Sequence, residues 1–295
     1  MNTTEEQSRE HFVSFDHAMP LTPTSSNANF SQNKINPDEP HWNFLSGLGI
    51  FALSIVLIGI FGVLTIVGYT RWSGAAFNAE SLMHDPSAIV ANLVSIFPAH
   101  LLTILAAWLL VTRGGKQPFF ETIGWQWNKK LGFWSCAAIT FGLFVASALI
   151  ISAFGDQENE LTKILQSSRT AVYLTALMAT LTAPITEEIV YRGVLYPALR
   201  KSFGITPAVF AVTTIFASVH FAQYYPSYGT ILAICVLSLT LTIVRAWTVS
   251  LLPCFVIHTL FNGVQSVLLI VEPFLEKSLA PTEHPSGFFY RLITG

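Results

Sequence analysis

Two adjacent glutamates, Glu187 and Glu188, followed by Arg192, sit inside the apolar stretch ITEEIVYRGVLYPALR, which otherwise reads as a membrane-spanning helix. Each charged group there costs about 2.5–3.5 kcal/mol on insertion scales, so an ionisable residue in such a place marks a functional site. On a helix Glu188 can reach Arg192 four residues on, while Glu187 projects about 100° away around the axis. Two carboxylates on different faces can do different jobs. Two further apolar segments carry polar groups at the same spacing: Phe216 and His220 in FASVH, and His258 and Asn262 in HTLFN. Carboxylates and imidazoles are the groups of proton transfer, of proton relays and of metal ligation. A structural reading stands beside these for Glu188 with Arg192, as a buried ion pair, and for Phe216, as packing.

The rest of the chain consists of elements able to hold such groups in a bilayer. With 295 residues, 52% of them hydrophobic and only 11% charged, and a mean hydropathy of +0.54, the composition lies outside that of soluble domains. The expected fold is all-α, a polytopic membrane helix bundle of about seven, at most eight, transmembrane helices. Residues 1–42, rich in Ser, Thr, Asn, Gln and Pro, read as a disordered polar tail without the pattern of a signal peptide. Residues 43–271 form the bundle, and residues 272–295, with Pro273, Pro281 and Pro285, read as a loose C-terminal tail. Spans are expected near 44–69, 88–112, 131–154, 171–199, 206–222, 229–245 and 249–271, with Thr206 and Pro207 as N-cap and first residue of the fifth. Pro98 predicts a kink in the second span, where His100 is a hydrogen-bonding histidine or a support for the site. Cys136, Cys235 and Cys254 fall in apolar segments without paired spacing and read as packing residues. The near-neutral charge points to no nucleic-acid partner.

Depth and charge order these spans. At 1.5 Å per residue, Glu187 lies roughly 20 Å from Arg200, His220 roughly 22 Å from Ile205 and His258 roughly 20 Å from Arg245. The three turns lie on one side, so three helices bring these groups to one level. That side also collects Arg113, Lys116, Lys129, Lys130, Arg200 and Lys201, which predicts a cytoplasmic face there and a cytoplasmic N-terminus.

The ordered set EEIVYRG, FASVH and HTLFN resembles the three motifs of the CPBP family, the CAAX prenyl protease and bacteriocin-processing (Abi) intramembrane endopeptidases, over residues 171–271. The resemblance implies a multi-pass peptidase, of the plasma membrane, acting on a membrane-embedded or membrane-anchored protein or peptide within the lipid bilayer. By motif, Glu187 would activate water with help from His220, His258 and Asn262 would form an oxyanion hole, and Glu188 with Arg192 would hold the helix. Such a site needs no cofactor. Zinc on Glu187, His220 and His258 is the alternative within enzymes, although the HExxH spacing is missing. The alternative outside enzymes is a transporter or an immunity or scaffold protein, and the absence of an internal repeat counts against transport.

Overall fold

In the computed structural model, residues 35–155 and 157–279 are described. The elements are α1 (Phe44–Ser73), α2 (Ala79–Met83), α3 (Pro86–Val111), α4 (Phe119–Thr122), α5 (Phe133–Phe154), α6 (Glu160–Ser167) and α7 (Arg169–Leu177). A π turn (Met178–Thr182), α8 (Ala183–Glu187), a second π turn (Glu188–Leu195) and α9 (Tyr196–Phe203) continue α7, and α10 (Ile205–Tyr224), α11 (Tyr228–Thr248) and α12 (Leu252–Leu279) follow. Among the described residues there is no strand, and six helices, α1, α3, α5, α10, α11 and α12, are long and apolar enough to cross a membrane. The protein is an all-α integral membrane bundle.

Local chemistry sets the helix ends. The Asn43 side chain accepts from the Ser46 N–H to start α1. Asp85 accepts from Ser87 and Ala88, with Pro86 in the first position of α3, and Ser168 accepts from Ala171 to start α7. These residues satisfy backbone donors that the first turn leaves free. The fifth span begins at Ile205 rather than Pro207, with Gly204 and not Thr206 in the N-cap position, because Gly204, at φ 88°, already breaks the chain after α9.

Short contacts join the helix ends into two faces. At one, Asn128 Nδ2 donates to Thr248 O, the Leu251 N–H to Gly124 O, and Lys201 Nζ to Pro40 O. This is the basic end, where α1, α5, α10 and α12 begin. At the other, Asn159 Nδ2 donates to Ser227 Oγ and the Tyr69 hydroxyl to Asp85. Burial runs from 6% of the apolar window in α1 to 50% in α11, so α11 is central and α1 lies at the rim. Exposed Val56, Ile60, Val63 and Leu64 on α1 form an apolar surface that suits lipid.

The polar tail expected over 1–42 lies outside the described residues except for 35–42, and these are packed. Asp38 is buried between Arg245 Nη1, at 2.7 Å, and Arg200, and the Trp42 indole N–H donates to Val194 O. Two arginines left without a carboxylate make an ordered strap here more favourable than a solvated tail. The C-terminal tail expected from residue 272 begins later, since α12 continues to Leu279; the rest of that segment lies outside the described residues.

Candidate active site

The fourth expected span is one helical stretch, 169–203, interrupted twice by π turns. Each ends just before a proline. Pro184 has no N–H, and the Ala183 N–H reaches back five residues to Met178 O; before Pro197, the Tyr196 N–H likewise reaches Tyr191 O. The first shift frees the carbonyl of Ala179, whose usual donor would be Ala183. Asn262 on α12 supplies that donor, its Nδ2 lying 2.9 Å from Ala179 O. Ser266, one turn on, bonds Thr180 Oγ1 at 3.0 Å and donates to Ala176 O. The motif asparagine thereby ties α12 to the stretch that carries the glutamates and keeps a second amide hydrogen for another acceptor.

Glu188 and Glu187 point in different directions, as their spacing predicts. Glu188 and Arg192 are fully buried, with Nη1 and Oε1 3.0 Å apart. The remaining guanidinium donors go to α11: Nε to Thr242 Oγ1, and Nη2 to Ser238 O and Oγ. The Phe216 ring lies 4.7 Å from the guanidinium carbon. His258 Nδ1 lies 2.9 Å from the same Glu188 oxygen, and the carboxylate must accept, so that nitrogen carries the proton. Glu188 Oε2 has no protein partner.

Glu187 faces a cavity of about 760 Å³. Its Oε2 lies 3.6 Å from His258 Nε2 and its Oε1 4.0 Å from His220 Nε2. His220 Nδ1 donates to Phe216 O at 2.8 Å, which turns Nε2 towards the carboxylate. A polar gap of 4.0 Å is the kind that a water bridges. Phe216 stacks on the His220 ring at 4.6 Å and meets the His258 ring edge-on at 6.1 Å, so this packing residue also orients both imidazoles. Glu187 and His220 keep about a fifth of their side-chain surface accessible, whereas His258 keeps 2%.

Glu187, His220, His258 and Asn262 all line the cavity, and Glu188 and Arg192 pack behind it. His100 lines it too, with Nδ1 3.2 Å from Thr182 Oγ1 in the first π turn. Sequence reasoning missed Ser238 and Thr242, although two small hydroxyl residues four apart in an apolar helix were a readable signal. The π turns were missed as well, with Pro184 and Pro197 as their only trace. Cys136 and Cys254 are buried, and Cys254 Sγ donates to Leu241 O, as packing thiols would. Among the described residues no three His, Cys, Asp or Glu side chains form a cluster that could hold a metal ion.

Fold and site together define a polytopic membrane protein with a carboxylate–imidazole centre sunk in its helices. Residues 169–264 match the family described as Type II CAAX prenyl endopeptidase Rce1-like, a CAAX protease family. The match covers less than half of the 295 residues but includes every residue of the centre. No curated protein and no solved structure is significantly similar to the chain.

Proposed function

We propose that the protein is an intramembrane endopeptidase that hydrolyses a peptide bond of a membrane-associated or lipid-modified protein or peptide. The observation that carries this reading is the Glu187 carboxylate, turned into a cavity between two imidazole Nε2 atoms at 3.6 and 4.0 Å, each imidazole held by its other nitrogen. Glu187 takes a proton from water with help from His220, the hydroxide attacks the scissile carbonyl, and Glu187 returns the proton to the leaving amine. The developing oxyanion is received by His258 and Asn262. Glu188 accepts from His258 Nδ1 and holds the ring with Nε2 towards the cavity, and Asn262 adds its spare amide hydrogen. Arg192 anchors Glu188 to α11, which keeps the helix bearing Glu187 in register. A substrate helix must unwind to expose a carbonyl, which a bilayer permits only inside protein or a wet cavity.

The membrane is the plasma membrane, and the N-terminus is cytoplasmic. The test is cleavage of membrane proteins in cells carrying Glu187→Gln or His220→Ala: both variants insert and fold, and both leave precursors uncut that the unaltered chain processes. Full biological activity in both would point to a scaffold instead. Exhaustive chelation of the purified protein leaves the glutamate mechanism at full rate, whereas a zinc site on Glu187, His220 and His258 loses its activity.

A further inference from the structure

Three polar residues close together on α12 are used in two ways. Asn262 donates to Ala179 O and Ser266 to Ala176 O, each tying that helix to the 169–203 stretch, as amide and hydroxyl side chains between membrane helices generally do. Gln265 lies between them in sequence and is not spent like this. Its carboxamide makes no hydrogen bond among the described residues and lines the cavity instead. Gln223 on α10 is alike: it lines the same space, half-buried, and is unbonded among the described residues. Each carboxamide holds two N–H donors and a carbonyl acceptor. Polar groups left unspent within a membrane bundle are costly and point to a further partner.

Position relates the two glutamines to the catalytic groups. The helices α10 and α12 run in the same direction, and both present an imidazole to Glu187. Gln223 follows His220 by three residues and Gln265 follows His258 by seven, so both amides lie on one side of the imidazoles, about 4.5 and 10 Å further along the helices. Seven residues make almost two whole turns, which puts Gln265 on the face of α12 that carries His258. An extended chain advances about 3.3 Å per residue, so a strand laid beside these helices passes the amides roughly one and three residues from its scissile bond. Close by, Phe261 stacks on Phe144 at 4.8 Å and Leu268 continues the wall, and neither can pair with a peptide group.

We propose that Gln265 and Gln223 are substrate-binding residues, which pair with main-chain N–H and C=O groups of the unwound segment on one side of the scissile bond. This rests on the peptidase reading. The two carboxamides replace hydrogen bonds that the segment gives up when its own helix opens away from water. Recognition of the main chain makes the grip indifferent to which side chains the three residues carry.

The probe is a set of synthetic peptides spanning the cleavage site of a precursor that accumulates in Glu187→Gln cells, in which single peptide bonds within three residues of the scissile bond are replaced by esters. An ester lacks the N–H and is a poorer acceptor. With the full-length protein in detergent, Gln265→Leu is expected to lower kcat/KM on the all-amide peptide about 3- to 10-fold, chiefly through KM, and to leave thermal unfolding unchanged because no protein group loses a partner. At one ester position the unaltered enzyme loses a similar factor, and Gln265→Leu loses nothing further there. Gln223→Leu goes through the same assay if Gln265→Leu does not accumulate. The inference is overturned if kcat/KM is unchanged, or if every ester costs both enzymes the same factor, which is the result for an amide that only holds water. Absence of any precursor in Glu187→Gln cells is a separate result, which removes the peptidase reading and this inference with it.

Discussion

Glu188 and Asp38 are both buried carboxylates gripped by arginine, and their surroundings differ in what the charges leave over. Around Glu188 one carboxylate meets one guanidinium, the guanidinium spends its other donors on Ser238 and Thr242, and an imidazole takes up the remaining negative character. A second carboxylate, Glu187, then stands free in a cavity. Around Asp38 two guanidiniums share one carboxylate, one of them also reaches Pro37 O, and apolar side chains fill the space. Burial of charge is common to both. What separates a clamp from a candidate centre is a titratable group left over beside open volume.

Glu187→Gln breaks this comparison most sharply. Loss of the base should lower cleavage by about 10²- to 10⁴-fold, with the thermal unfolding of the detergent-solubilised protein unchanged, because the group faces a cavity. Next come the two clamps themselves. Glu188→Ala and Asp38→Ala each leave buried arginine unpaired, at a cost of about 3–5 kcal/mol measured by denaturation. They part on activity: the folded fraction of the Asp38 variant keeps its kcat, whereas the Glu188 variant loses turnover because His258 is no longer held.

A smaller effect is expected from Asn262→Ala, which orphans the Ala179 carbonyl. It should cost about 1–3 kcal/mol of stability together with a drop in kcat at unchanged KM. Either loss without the other would show that the asparagine serves only one of its two acceptors.

The smallest effect belongs to His41, in the strap, whose Nε2–H donates to Leu110 O at 3.0 Å. Burial chiefly, with Arg113 and Lys201 nearby, lowers its pKa below the ordinary 6.5, against the raising effect of the Leu110 contact. A histidine with a lowered folded-state pKa favours its neutral form on folding. Its contribution is therefore complete above pH 6.5 and is lost as pH falls through the folded-state value. Unfolding curves between pH 8 and 5 should show this dependence, and His41→Gln should remove that part of it.

The all-helical membrane class and the meeting of Glu187 with His220 and His258 could be read from one dimension, because helical spacing and rise are local quantities. Glu188 and Arg192 four residues apart had to share a face, and helices of known rise had to bring their polar groups to similar depth. The strap could not be read this way. Asp38 and Arg245 lie 207 residues apart, and a polar run looks the same whether solvated or packed. The π turns, the bond from Asn262 to Ala179 and the cavity itself likewise depend on which helices are neighbours. Hydropathy and period determine which segments enter the bilayer and which of their faces are polar. Only packing decides where backbone groups freed by proline find partners, and which carboxylate is left beside open volume.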